Sequence, residues 1–66
     1  MTVTINGETH TFVAPLTLQN LLEQLGLDRG KIAIERNLEI VPRSIYGQTV
    51  VKDGDRLEIV HFIGGG

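Results

Sequence analysis

One stretch of this chain carries a helical repeat. Leu18, Leu21, Leu22 and Leu25 fall three, four and seven residues apart and line one side of a helix, while Gln19, Asn20, Glu23 and Gln24 cover the other. Thr17 stands in front as an N-cap whose hydroxyl accepts from an orphan amide of the first turn. Gly26 follows where a left-handed C-terminal cap is expected, and Leu27 is placed to fold back on the stripe. A lone amphipathic helix must bury its stripe on something flat. The repeat therefore predicts one helix on one face of one sheet, with the other sheet face in water.

The flanking segments supply that sheet. Met1, Val3 and Ile5 alternate with Thr2 and Thr4, and Asn6-Gly7 suits a type I′ turn, because both of its central positions need positive φ. Residues 8–13 then form a returning strand that sets Ile5 opposite Glu8, Val3 opposite His10 and Met1 opposite Phe12. Pro15 ends that strand. Beyond the helix, Asp28-Arg29-Gly30 reads as a turn, and Ile32, Ala33 and Ile34 begin a third strand that Glu35-Arg36 continues. Asn37 takes a left-handed bend, residues 38–41 are short and extended, and residues 43–47 make a turn or one helical turn. Residues 49–51 read as a brief strand and Asp53-Gly54-Asp55 as a tight turn. In the last strand Leu57, Ile59 and His61 alternate with Glu58, Val60 and Phe62. This strand is predicted to lie beside the first, in the sheet centre. The resulting fold class is α+β: a ubiquitin-like β-grasp, with a mixed sheet of four to five strands on one main helix. Residues 1–63 are expected to form the domain and residues 64–66 a flexible glycine tail.

With 66 residues the chain can close one core, but it is too small for two domains, a barrel with loop-built sites or a nucleotide-binding domain. The net charge is −2, spread along the chain with no basic patch, so no nucleic-acid partner is expected. The longest apolar stretches are a few residues, so neither a membrane span nor a signal peptide is expected. The absence of cysteine removes disulfides, thiol nucleophiles, zinc ribbons and iron–sulfur ligation together. It fits the cytoplasm, the expected location, although it permits any compartment.

Enzymatic constellations are hard to assemble from what remains. His10 and His61 make no metal site unless carboxylates converge on them, and they read as an edge and a rim histidine. Ser44 is the one serine and has no histidine near it in sequence. Asp53 and Asp55 bracket a glycine, a pattern that is far more often a turn than an acid–base pair. No catalytic residue, metal site or bound cofactor is expected.

The chemistry is expected at the end of the sequence. The plainest reading of Gly64, Gly65 and Gly66 is a frayed tail. Against it, the last strand runs directly into the glycines with no spacer, and the Gly66 carboxylate would sit on an unhindered methylene. A run without Cβ atoms fits a channel too narrow for side chains. About four residues reach roughly 13 Å at about 3.3 Å each, enough to place a carboxylate in another protein's active site. Adenylation by ATP would turn this poor electrophile into a mixed anhydride open to sulfur or an amine. If Leu57 and Ile59 point inward, Val60 and Phe62 point outward by alternation. With Ile63 they form the expected partner-docking patch, unless Ile45 or Tyr46 covers them. Arg43 and Arg56 are either solvated or paired with acidic groups of a partner.

These residues resemble the ThiS family, the sulfur carriers of thiamine biosynthesis, over the whole chain. The likeness lies in Val-Thr-Ile-Asn-Gly-Glu at 3–8, in Ala-Ile-Glu-Arg-Asn at 33–37 and in Glu-Ile-Val-Pro-Arg-Ser at 39–44. It continues through 51–60, from Val51-Lys52-Asp53-Gly54-Asp55 onward, and ends at Gly65-Gly66. Arg36 stands where an apolar residue is common in that family, and Leu38 where a small or polar one is. The resemblance implies a protein co-substrate rather than an enzyme. Its Gly66 carboxylate is adenylated by an E1-like enzyme that uses ATP and magnesium. Sulfur derived from cysteine, usually through a cysteine desulfurase, replaces AMP to give a thiocarboxylate, and thiazole synthase takes the sulfur. Gly64, Gly65 and Gly66 would be the tail that enters the partner sites. The rivals are a carrier like the small subunit of molybdopterin synthase, a ubiquitin-like modifier, a plain interaction domain and a metal-dependent enzyme built on the two histidines. The first of these rivals favours a Pro-Pro approach to its glycines, which is absent here.

Overall fold

The first hairpin is built as its alternation demands. In a computed structural model of the chain, which describes residues 1–62, β1 (Thr2–Ile5) and β2 (Glu8–Thr11) pair antiparallel with Val3 opposite His10 and Ile5 opposite Glu8. Asn6 and Gly7 have φ of 50° and 84°, the left-handed pair that a type I′ turn needs. The pairing reaches beyond β1 and β2, because Met1 and Phe12 exchange backbone hydrogen bonds at 2.9 and 2.7 Å.

α1 (Leu18–Gln24) begins where Thr17 Oγ1 accepts from the Asn20 amide at 3.1 Å. It ends in a Schellman pair: Gly26 N–H donates to Glu23 O and Leu27 N–H to Leu22 O, with Gly26 at φ 70°. Leu18, Leu21 and Leu22 are wholly buried, while Leu25 and Leu27 pack against the core from its margin. Each fully buried leucine contributes about 2 kcal/mol of transfer free energy.

The sheet holds five strands in the order β2-β1-β5-β3-β4. β5 (Arg56–His61) lies in its centre, parallel to β1 and antiparallel to β3 (Ile32–Arg36), and β4 (Glu39–Val41) forms one edge. Val3, Ile5, Leu57, Ile59, Ile32, Ile34 and Val41 are the buried residues of β1, β5, β3 and β4, and they join the helical leucines in one core cluster. The other face stays open, as one helix can cover only one side.

Two details differ from the sequence expectation, and a third was not legible in it. Residues 49–51 make no strand, and their one bridge joins Val50 to Thr17. Leu18 N–H donates to Thr49 O and Val51 N–H to Leu16 O, so this segment is tied to the start of the helix rather than to the sheet. Leu38 is not extended: with φ of 73° it shares the β3–β4 turn with Asn37 at 51°, because Arg36 pairs with Glu39 and leaves two residues to reverse the chain. Tyr46 is core, 1% exposed, although it follows a 3₁₀ turn over Arg43–Ile45.

Candidate functional site

The open face of β5 meets that of β3 and β4. Val60 is 58% exposed and Phe62 45%, so alternation placed both outward as expected. Tyr46, one of the two residues that could have covered them, is in the core, and Ile45 is itself exposed. Ile63, Gly64, Gly65 and Gly66 lie outside the described residues.

Sequence reasoning missed two members of this surface. Ala33 is the register partner of Val60, and Ile40, 77% exposed, pairs with Glu35. With Glu35 and Glu58 they frame a shallow cleft of about 110 Å³. A usable signal existed: if Ile32, Ile34 and Val41 face the helix, Ala33 and Ile40 must face away. Glu35 and Glu58 sit directly opposite each other, a like-charge pair that costs stability in the free chain.

The turn carboxylates are spent on structure. Asp55, 6% exposed, accepts from Arg36 Nε at 2.9 Å and Lys52 N at 2.8 Å through Oδ2, and from Asn37 Nδ2 at 3.1 Å through Oδ1. Asp53 Oδ1 accepts from the Thr2 amide at 2.7 Å. A buried carboxylate with three donors needs a cation nearby, and Arg36 supplies it. That explains a charged residue at position 36. The histidines stay apart: His10, on edge strand β2, stacks on Phe12 just beyond it, and His61 lies opposite Ile32 at the far end of β5. Among the described residues no three metal-ligating side chains converge, and no helix is long and apolar enough to cross a membrane.

Arg43 is not simply solvated. Its Cζ lies 5.9 Å from the centre of the Phe62 ring, and Nη2 donates to Ile32 O at 3.3 Å. Arg56 is exposed; its backbone N–H donates to Asn37 Oδ1 at 2.9 Å.

The sequence model of the ThiS family matches residues 3–66, nearly the whole chain. The chain belongs to the ThiS family. It is 35% identical to the sulfur carrier protein ThiS of Escherichia coli over 66 residues, covering all of both chains. It is 42% identical to that of Bacillus subtilis over 50 residues, 76% of each. The crystal structure of the thiamine biosynthesis protein ThiS from Geobacter metallireducens superposes with a TM-score of 0.84 at 35% identity, covering both chains completely. That likeness bears out the ubiquitin-like β-grasp with its mixed sheet and single helix. The chain is also 59% identical over its whole length to a thiazole synthase of Paramagnetospirillum magneticum, of which it spans 20%.

Proposed function

We propose that this chain is a sulfur carrier of thiamine biosynthesis and that its reactive group is the Gly66 carboxylate. The observation that carries the reading is the family match running through residue 66, together with a relative named as a sulfur carrier that matches over its full length. The geometry supports it: Val60 near the end of β5 and Phe62 just past it are exposed, a few residues before the glycines in sequence.

The chain acts as co-substrate. A carboxylate oxygen of Gly66 attacks the α-phosphorus of ATP in an E1-like enzyme that uses magnesium, and pyrophosphate leaves. A desulfurase takes sulfur from cysteine as a persulfide, whose outer sulfur attacks the acyl adenylate as AMP departs; a thiol then reduces the S–S bond of the resulting acyl disulfide and leaves a thiocarboxylate. Thiazole synthase is the acceptor. Two thiazole synthases that contain a segment 59% and 47% identical to this whole chain support that partnership. The side chains described here supply a body with a recognition face rather than reacting groups. The molybdopterin and modifier alternatives share the activated glycine, and membership of the ThiS family favours thiazole formation.

Intact mass tests the reading. Incubation with ATP, magnesium, a ThiS-adenylating enzyme and a sulfur source should add about 16 Da, the difference between sulfur and oxygen in one terminal carboxyl. Alkylation of the product distinguishes a thiocarboxylate from an oxidised side chain. Deleting Gly66 should abolish the shift. A wild-type chain that never gains alkylatable mass is not a sulfur carrier.

A further inference from the structure

Arg43 joins three parts of the fold at the end of β5. It follows Pro42 after β4, its guanidinium lies over the Phe62 ring at 5.9 Å, and Nη2 donates to the Ile32 carbonyl at 3.3 Å. Ile32 opens β3, and the residue before it, Lys31, accepts the Phe62 amide at 2.8 Å. One backbone bond and one cation over the ring therefore hold Phe62 against the start of β3. Neither Arg43 nor Phe62 belongs to the core, so closing the core does not require the arrangement. A planar guanidinium suits it, because the flat face can stack on a ring while the edge donates in plane.

We propose that Arg43 is a positioning residue for the reactive terminus: it clamps Phe62 to the start of β3 and so orders the junction between the folded body and the tail before a partner is met. This rests on the reading of Gly66 as the group delivered to partner enzymes. The body docks through Val60 and Phe62 while the terminus must meet reacting atoms some distance away. Freedom at the junction lowers the effective concentration of the terminus in the partner's site, and ordering it beforehand removes that loss.

The test compares the full chain with Arg43→Ala, Arg43→Lys, Phe62→Leu and the double variant Arg43→Ala/Phe62→Leu. Backbone ¹⁵N relaxation on the free protein comes first. The order parameter of the Phe62 amide should fall in Arg43→Ala and recover in part in Arg43→Lys, with the melting temperature unchanged. Pyrophosphate release with the adenylating enzyme comes second. Arg43→Ala should raise KM for the carrier about tenfold, as expected for lost preorganisation, and leave kcat within about twofold. In the Phe62→Leu background the same change should add nothing, since Arg43 acts through the ring. An unchanged order parameter at Phe62 overturns the proposal. So does an Arg43→Ala effect equally large without the ring, which would mean that Arg43 touches the partner directly. If the order parameter falls but the wild type is never adenylated, the carrier reading fails and takes the assigned role with it, while the clamp itself stands as measured.

Discussion

At its start β5 is surrounded by polar side chains committed to one another, whereas at its end, among the described residues, Phe62 is held by one backbone bond and one arginine. At the start, Asp55 gathers Arg36, Asn37 and the Lys52 amide, and Asn37 both accepts from and donates to Arg56. Asn6 extends the short β1–β5 pairing: its Oδ1 accepts from Ile59 N at 2.7 Å and its Nδ2 donates to Ile59 O at 3.1 Å, as another strand residue would. At the end, Val60 faces outward beside Ala33 and Ile40, and Phe62 is exposed beyond it. A small domain has little stability to divide. Concentrating buried polar contacts at one end of the central strand leaves the other end's side chains available for a partner.

Four substitutions break or sharpen this contrast. Asp55→Ala should have the largest effect on stability, about 3 kcal/mol, because it leaves Arg36 and Asn37 without their buried acceptor. That is a large share of the roughly 3–10 kcal/mol expected for a chain of this size, and urea unfolding reads it. Asn6→Gly keeps the left-handed turn and removes both side-chain bonds to Ile59, so it should cost about 1–2 kcal/mol in the same assay. Leu38→Gly should act in the opposite direction. Leu38 is 87% exposed at φ 73°, and relieving that backbone should stabilise the chain by about 1 kcal/mol in thermal melts. Phe62→Asp should change stability least, by no more than about 0.5 kcal/mol, since the ring is already half in water. It should nevertheless weaken binding to the adenylating enzyme and to thiazole synthase about tenfold or more, measured by calorimetry. Unchanged affinity would remove Phe62 from the docking face.

The parts legible in the sequence are those whose causes lie within a few residues. The Asn6-Gly7 turn, the Thr17 cap, the Gly26 stop and the leucine stripe each depend on neighbours at most four positions away, and each stands where it was expected. The outward aim of Val60 and Phe62 followed from the pleat alone. Tyr46 sits in the turn expected at 43–47, but its burial in the core cluster depends on distant residues, which no local pattern reports. The segment at 49–51 looked like a strand from its β-branched residues, but a strand needs a partner, and the bonds to Leu16 and Leu18 took its place.

By itself the sequence determined a hairpin, one helix with its caps, a last strand beside the first and a likeness to the ThiS family. Tertiary structure decided which residues meet across long separations: Asp55 with Arg36 nineteen positions away, Asn6 with Ile59 fifty-three away, and Arg43 with Phe62. The physical reason is range. Turn and cap preferences are written into one or two dihedral angles, whereas burial, ion pairing and a shared surface exist only after the sheet has brought distant strands into register.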